Sequence, residues 1–147
     1  MKKILSIVFM TLMGTTLFAQ DANKIVGVWI TQDNDGKVAI AQDSEGKYNG
    51  TVVWMKDSLD VHGKPVLDSK NSDKKLRNRP VVGINLLEGF KYDESCSKWV
   101  DGRIYDPKSG KTYKSLVRLD EDSDKLLVKG FVGLSIIGRE VVWIRSK

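Results

Sequence analysis

The sequence predicts an all-β protein built as a single antiparallel up-and-down β-barrel of about eight strands, with one long loop at about residues 56–79. Apolar and polar residues alternate with a period of two, which places successive side chains on opposite faces of a strand. Runs rich in β-branched residues are separated by turn signals, and no convincing long helix interrupts them. Closing eight short strands into a barrel removes exposed sheet edges, although a two-sheet sandwich could use the same strands.

The first three strands are predicted to form a meander. Residues 25–31 and 37–43 are joined by "QDNDG", in which Asp35-Gly36 suits the positive φ of a tight turn. Residues 47–55 alternate again after a second turn at Glu45-Gly46 and supply the third strand. Three strands therefore form within a short stretch of chain.

A long connection follows the meander. Residues 56–79 are rich in charge and poor in apolar residues, and we predict one helical turn near residues 72–76. Connections of this length without their own structure are uncommon in compact domains and often serve as lids or binding loops, the alternative being a solvated excursion. The remaining strands are predicted at residues 81–87, 98–105, 111–119, 125–131 and 139–146.

The N-terminus has the pattern of a secretory signal peptide. Lys2 and Lys3 precede an apolar run at residues 4–18, and Ala19 ends it, so cleavage is expected after Ala19. The run is shorter than the ~20 residues that cross a bilayer, and no cysteine stands directly after the expected cleavage site to carry a lipid. We therefore expect a periplasmic or secreted protein without a membrane anchor, in which residues 20–147 form one domain.

Charge and cysteine usage exclude some classes of function. The formal net charge is +5, and loss of Lys2 and Lys3 with the signal peptide leaves +3. This mild charge, without a basic stripe interleaved with aromatic residues, argues against a nucleic-acid partner. Cys96 is the only cysteine, so no intramolecular disulfide can form.

The stretch Gly27-Val28-Trp29 resembles the start of lipocalin-like (calycin) barrels. The resemblance implies that Trp29 plugs the closed end of the barrel and that an arginine of the last strand packs across its ring. Arg139 and Arg145, on either side of Trp143, are the candidates. A guanidinium over an indole is a favourable cation–π contact.

A second resemblance covers nearly the whole chain after residue 19. The blocks "IVGVW", "GKPVLDSKNSDKKLRNRPVVGINLLEGF", "GRIYDPKSGKTY", "LLVKGFVG" and "GREVVWIR" are similar to a family of exported bacterial proteins known as domain of unknown function 2147. This resemblance implies an exported lipocalin-like barrel and no established activity. Many members carry further cysteines near the second and third strands. This chain lacks them, so a disulfide cannot be transferred to it.

Candidate catalytic residues are few. His62 is the only histidine and lies in the long loop, where a solvated side chain is the simpler interpretation. Cys96, in "DESCSKW", has acidic residues nearby that disfavour a reactive thiolate, so it is interpreted as an incidental loop thiol. Asp101 and Glu140 lie on predicted strands and could converge at the barrel mouth as paired carboxylates, but alternation leaves their direction open. A catalytic function is therefore not favoured.

No metal or cofactor is expected. Zinc needs several histidine or cysteine ligands, and the chain has one of each. Calcium takes oxygen ligands, and several cluster in the long loop, but their spacing matches no EF-hand and neighbouring lysines dilute their charge. Surface solvation is favoured and calcium stays open for Asp57, Asp60, Asp68, Asn71 and Asp73.

Large aromatic residues and arginines on the strands are the candidate ligand contacts. Trp99, Asp101, Arg103 and Tyr105 alternate along the fifth strand and are expected to share one face. If that face points inward, the barrel has an amphipathic pocket; if it points outward, the interior is apolar and can be filled. The candidate ligand-binding set is Trp54, Trp99, Arg103, Tyr105, Tyr113 and Trp143.

Arg77 and Arg79 in the long loop are expected either to fix the loop to the barrel rim or to meet an anionic ligand at the opening. The favoured function is binding of a small hydrophobic or amphipathic molecule in the barrel. One alternative is a filled barrel that serves as a scaffold for another envelope protein. The other is an unrecognised hydrolase.

Overall fold

The computed structural model describes residues 20–147, so the predicted signal peptide lies outside the described residues. After a 3₁₀ turn at Asn23–Ile25, eight antiparallel strands follow in chain order. Each strand pairs with the next, and β1 pairs with β8 through Trp29 opposite Arg145, which closes the barrel. The predicted eight-stranded barrel is confirmed. Its strands are β1 Gly27–Ile30, β2 Gly36–Gln42, β3 Tyr48–Met55, β4 Asn85–Asp93, β5 Lys98–Asp106, β6 Lys111–Leu119, β7 Lys125–Phe131 and β8 Gly138–Arg145.

The barrel has two unlike ends. At one end, which we call the base, β1 begins, β8 ends and the 3₁₀ turn Asn23–Ile25 lies beneath the strands. At the other end, which we call the mouth, four connections emerge: β1–β2, β3–β4, β5–β6 and β7–β8. Within residues 20–147 no helix is long and apolar enough to span a membrane.

The fourth strand starts later than the sequence predicts. Residues 81–84 belong to the β3–β4 connection, because Gly83 adopts a φ of +105° and Ile84 turns back to accept a hydrogen bond from the Val52 backbone. The long loop therefore runs over residues 56–84. Its predicted helical turn is present as a 3₁₀ turn at Lys74–Leu76, whose first turn is capped by the Asp73 carboxylate.

The predicted alternation along β5 is wrong. Asp101 has a φ of +60°, and the register with β6 shifts between Trp99 and Gly102. This bulge adds one residue to the strand, so Trp99 and Gly102 are both buried while Asp101 and Arg103 are exposed. The four residues Trp99, Asp101, Arg103 and Tyr105 therefore do not share one face.

Side chains fill the base half of the barrel. Gly102 has no room for a larger residue, because an added Cβ would lie 2.4 Å from the Phe90 ring, and at Gly50 it would lie 2.9 Å from Val38. Such spacing indicates a packed interior rather than a deep cavity. The buried core consists of Ile25, Trp29, Val38, Ile40, Tyr48, Leu87, Phe90, Trp99, Val117, Leu126, Val128 and Trp143.

A second apolar cluster lies beneath the long loop. Val81 and Ile84 of the loop pack on Val52 near the end of β3, with Val66 and Tyr105 around them. This cluster anchors the loop over the β3–β5 side of the mouth.

Candidate functional site

The base is held by Trp29 and Arg145. The indole of Trp29 is fully buried and donates a hydrogen bond to the Ile25 carbonyl at 2.8 Å. The Arg145 guanidinium lies 4.2 Å from the centre of the Trp29 ring, the contact that the lipocalin-like resemblance implied for Arg139 or Arg145. Gly27, with a φ of +137°, lets Arg145 approach, because a Cβ there would lie 3.1 Å from Nη1.

Arg145 also binds the backbone on both sides of the barrel closure. Its Nη2 donates to the carbonyls of Lys24 at 2.6 Å and Ser123 at 3.1 Å, and its Nη1 donates to Val26 at 3.3 Å. The guanidinium thus ties the end of β8 to the N-terminal turn and to the β6–β7 turn. This is a structural role, remote from the mouth.

A polar clasp fixes the long loop to β5. Asp68 is fully buried and accepts hydrogen bonds from the Tyr105 hydroxyl, from Asn71 at 2.8 Å and from Arg79 Nε at 3.0 Å. Burial, followed by the hydrogen bond to Asp68, raises the pKa of Tyr105 to about 12. Arg77 donates to the Asn71 carbonyl at 2.7 Å. Both loop arginines therefore lie in contacts that shape the loop itself.

The other oxygen-rich residues of the loop stabilise its turns. The Asp60 carboxylate accepts from the backbone amides of His62 at 2.8 Å and Lys64 at 3.0 Å. Asp73 accepts from the Lys75 amide at 2.9 Å, and Asp57 and His62 are exposed. Among residues 20–147, no group of three or more His, Cys, Asp or Glu side chains is arranged to hold a metal ion.

An ion pair crosses the mouth. Lys108 Nζ in the β5–β6 turn lies 3.1 Å from Asp35 Oδ2 in the β1–β2 turn, and these two turns arise on opposite sides of the ring of strands. The hydrogen bond from the Thr31 hydroxyl and then Lys108 lower the pKa of Asp35, and Asp35 raises the pKa of Lys108. The ion pair separates the loop-covered side of the mouth from the β6–β8 side.

The β6–β8 side presents a small, partly open inner surface. Ile104 lies opposite Tyr113 in the register, and Gly130 lies opposite Arg139. An added Cβ on Gly130 would lie 3.3 Å from Ile104 Cγ2 and 3.7 Å from Tyr113 Cβ, so these residues line one face. Val141, two residues after Arg139, shares the face and packs on the core. We call Ile104, Tyr113, Gly130, Arg139 and Val141 the mouth surface.

The mouth surface combines apolar area with two polar groups. Ile104, Tyr113 and Val141 are half-buried and Arg139 is exposed, whereas inward side chains nearer the base are buried. Because Gly130 has no side chain, Ile104 and Tyr113 pack close to its backbone. The arrangement places an apolar floor beside a phenol, which can donate a hydrogen bond, and a guanidinium, which can bind an anion.

Most of the other predicted ligand contacts lie elsewhere. Trp99 belongs to the core, where its indole donates to the Ala22 carbonyl at 3.0 Å and its ring lies 4.9 Å from that of Tyr92. Trp143 is buried as well. Trp54 is 42% exposed and has the Lys37 ammonium 5.9 Å from its ring centre.

Arg103 is exposed opposite Lys114, and Tyr105 belongs to the clasp. Of the six predicted ligand-binding residues, the structure places only Tyr113 on the mouth surface. The sequence reasoning missed Ile104, Gly130 and Val141. The available signal was the alternation of Arg139 and Val141 with the core residue Trp143 on β8.

The remaining candidate catalytic residues do not converge. Asp101 is exposed at the β5 bulge. Glu140 alternates with Val141 on β8 and meets Arg118 Nη2 at 3.4 Å on the outer face. Cys96 is exposed in the β4–β5 turn. No two of these groups share a buried site.

Two shallow depressions lie outside the barrel. One, of about 330 Å³, is at the base beside Tyr48 and Tyr92, and the other, of about 350 Å³, lies beside Pro80 and Ile84. Both are wide open to solvent and lined largely by polar groups. Neither has the apolar enclosure of a typical ligand pocket.

Comparison with known proteins agrees with this architecture. A solved structure of protein HP1028 from the human pathogen Helicobacter pylori, described as belonging to the lipocalin family, superposes with a TM-score of 0.69 and 22% sequence identity, covering 83% of this chain and 82% of that chain. No curated protein matches the chain. The family described as "Uncharacterized protein conserved in bacteria (DUF2147)" matches residues 27–145. Because this match covers all eight strands, the chain belongs to the DUF2147 family and has a lipocalin-like barrel.

Proposed function

We propose that the protein is an exported envelope protein that binds a small amphipathic molecule with an anionic group at the mouth of its barrel. The observation that carries this proposal is the half-buried apolar surface of Ile104, Tyr113 and Val141 at the mouth, with the Tyr113 hydroxyl and the exposed Arg139 guanidinium as its polar groups. Because side chains fill the base half, the apolar part of the ligand lies along the mouth surface and does not enter the barrel interior.

Arg139 is the residue that would select an anion. Among residues 20–147 it forms no ion pair, whereas Arg79, Arg118 and Arg145 each have an acidic neighbour within 4.0 Å. A guanidinium can bind a carboxylate or phosphate through two parallel hydrogen bonds. The Tyr113 hydroxyl adds a donor, while Ile104 and Val141 supply apolar contact.

The fold supports a binding function in general terms. Eight-stranded barrels are just wide enough to be filled by side chains or to hold one small ligand. This barrel is filled at its base and open on one side of its mouth, so a shallow site fits the space better than a deep one.

Export is supported by the basic and apolar residues that precede Gln20. Fractionation of cells followed by mass spectrometry should find the protein in the periplasm or medium, starting at Gln20. Recovery from the cytosol with residues 1–19 attached would contradict this part of the proposal.

Ligand binding is tested with laurate and with the anionic dye 1-anilinonaphthalene-8-sulfonate, using the chain from Gln20 to Lys147. Arg139→Ala should weaken laurate binding about tenfold, equivalent to about 1.4 kcal/mol. Arg118→Ala, on the outer face near the same strand, is the matched control and should change affinity less than about twofold. Dodecanol, which has no charge, should bind both variants about equally.

Equal effects of Arg139→Ala and Arg118→Ala, or laurate binding that Arg139→Ala leaves unchanged, would contradict an anion site at the mouth. Native mass spectrometry of protein purified gently from its own envelope gives an independent test. A small-molecule mass lost on unfolding is expected.

A second candidate function is an interaction scaffold of the envelope. The packed base half favours it, because a barrel filled by side chains can act as a scaffold that holds its loops in place without binding a ligand. A bare mass in the native spectrum, together with a stable envelope-protein partner after cross-linking in cells, would favour the scaffold over the binder. The hydrolase alternative has no such support, since Asp101 and Glu140 do not converge.

A further inference from the structure

The β7–β8 connection exposes an unusual amount of apolar surface. Residues 132–137 join Phe131 to Gly138, and the Ile137 amide donates to the Leu134 carbonyl at 3.1 Å to form a turn. We call the four large aliphatic residues of this loop the apolar tip: Val132, Leu134, Ile136 and Ile137, exposed by 77%, 70%, 77% and 70%. Single exposed aliphatic residues are common, but four within six positions mark an interaction site.

The apolar tip stands beside a cationic part of the barrel. From Lys125 to Arg139 the chain contains no acidic residue, and Lys129 and Arg139 lie on the two strands that carry the tip. Across the β6–β7 ladder, Lys114 lies opposite Phe131. The nearest acid on the hairpin is Glu140, which has Arg118 within 3.4 Å.

The acidic groups nearest to this side of the mouth lie at the β1–β2 and β5–β6 turns. At the β5–β6 turn, Asp106 accepts hydrogen bonds from the Lys108 amide and the Ser109 hydroxyl. In the neighbouring β1–β2 turn, Asp35 is paired with Lys108, so Asp33 is the one acid of that turn without a cation within 4.0 Å. The β6–β8 side of the mouth is therefore basic around an apolar centre. This pattern is complementary to a surface with anionic groups outside and hydrocarbon beneath.

The size and composition of the tip argue against a protein partner. A stable protein interface buries about 800 Å² on each partner and is enriched in aromatic residues and methionine. A loop of six residues whose four large side chains are all aliphatic provides neither. A second copy of the chain would also bring Lys114, Lys129 and Arg139 against like charges.

We infer that the apolar tip inserts into the interface of an anionic phospholipid membrane, so that the barrel docks reversibly with its mouth toward the lipid. The aliphatic side chains enter the acyl boundary, and the long stems of Lys129 and Arg139 let their charged ends reach lipid phosphates. The mouth surface then faces the bilayer. This docking does not depend on the ligand proposed above, because none of the four tip residues belongs to the mouth surface. Arg139 is the residue that the two proposals share, and the variants that test docking leave it unchanged.

The test is co-sedimentation of the chain from Gln20 to Lys147, which contains every strand of the barrel, with vesicles. Vesicles of phosphatidylcholine containing about a third phosphatidylglycerol should bind the protein, and vesicles of phosphatidylcholine alone should bind it at least about tenfold more weakly. Leu134→Ser combined with Ile136→Ser should lower partitioning by about tenfold or more. Raising the salt concentration should weaken binding of the unaltered protein.

The matched control replaces two exposed aliphatic residues at another site of the mouth. Leu59 and Val61 of the long loop are 57% and 96% exposed, and Leu59→Ser with Val61→Ser should leave vesicle binding unchanged. Both double variants lie in exposed loops, so their thermal midpoints should match that of the unaltered protein.

An environment-sensitive dye locates the contact. In a Cys96→Ser background, a dye on Ile136→Cys should shift to shorter wavelength on anionic vesicles, and a dye on Val61→Cys should not. Equal vesicle binding by the two double variants would overturn the proposal. So would a stable dimer in sedimentation that the tip variant dissociates, because the tip would then be a protein interface. Laurate affinity should be the same in tip variants, which separates failure of this proposal from failure of the ligand site.

Discussion

Replacement of Arg145 tests how the barrel is closed at its base. Arg145→Leu removes hydrogen bonds to the carbonyls of Lys24, Val26 and Ser123 and the stack over Trp29 at 4.2 Å. A hydrogen bond from a charged donor contributes about 1.5–3 kcal/mol. A cation–π contact contributes about 0.5 kcal/mol when it is exposed and about 2 kcal/mol when it is desolvated. These contributions overlap and Arg145 is partly solvated, so we expect a loss of about 3 kcal/mol in the free energy of unfolding.

Arg145→Lys separates charge from geometry. Lysine keeps the positive charge over Trp29 but cannot donate to several carbonyls at once, so about half of the loss is expected. Urea unfolding followed by tryptophan fluorescence and circular dichroism measures both variants, and the midpoint should fall while the slope with denaturant is unchanged.

Arg118→Ala is the control for loss of a surface arginine, because its contact with Glu140 at 3.4 Å is solvent-exposed. Such pairs contribute about 0–1 kcal/mol. If Arg145→Lys were as stable as the unaltered protein, or if Arg118→Ala cost as much as Arg145→Leu, the guanidinium would not hold the base in the way that its contacts indicate.

Two further predictions concern packing and the loop clasp. Gly102→Ala places a Cβ 2.4 Å from the Phe90 ring and should destabilise the barrel by about 2–3 kcal/mol; an unchanged thermal midpoint would show that the ring can move at no cost. Tyr105→Phe removes the hydrogen bond to buried Asp68 and should cost about 1–2 kcal/mol at neutral pH. Because the pKa of Tyr105 rises from 10.0 to about 12 on folding, its contribution is complete below pH 10 and is lost between pH 10 and 12. Unfolding midpoints of the phenylalanine variant should therefore depend less on pH across that window, and parallel profiles would contradict the assignment.

The fold could be predicted well because its signals are local. Period-two alternation and turn residues such as Asp35-Gly36 report on a few neighbouring positions, and these are enough to place seven of the eight strands closely. The fourth strand was placed too early, because residues 81–84 are apolar for a different reason: Val81 and Ile84 pack on Val52 beneath the long loop. Apolar character reports burial and does not distinguish a strand from a buried loop.

The site was harder to predict because it depends on register. The bulge at Asp101 accompanies the packing of Gly102 against the Phe90 ring. This contact joins two strands, so alternation within one strand does not reveal it. One inserted residue exchanges the faces of the strand. The same limit hid Gly130, whose contacts with Ile104 and Tyr113 appear only once β5, β6 and β7 are paired.

Aromatic residues also carried a misleading signal. In a barrel of this width a large ring fills the interior, and Trp99 and Trp143 are among the side chains that do so. The half-exposed inner residues at the mouth, not the largest ones, are therefore the informative candidates. That criterion selects Ile104, Tyr113 and Val141, with the exposed Arg139 beside them.

The filled base, the partly covered mouth and the apolar tip place both proposed binding surfaces on the same side of the barrel. Side chains fill the base half and the long loop covers the β3–β5 side, so the proposed ligand would enter and leave beside β6–β8. The apolar tip projects on that same side, next to Arg139. If the tip enters a membrane, an amphipathic molecule travels only a short distance between the lipid and the barrel. Tip variants should then slow the transfer of laurate from vesicles to the protein and leave the affinity for laurate in solution unchanged. If transfer is unaffected by the tip variants, membrane docking and ligand binding are independent properties of the two surfaces.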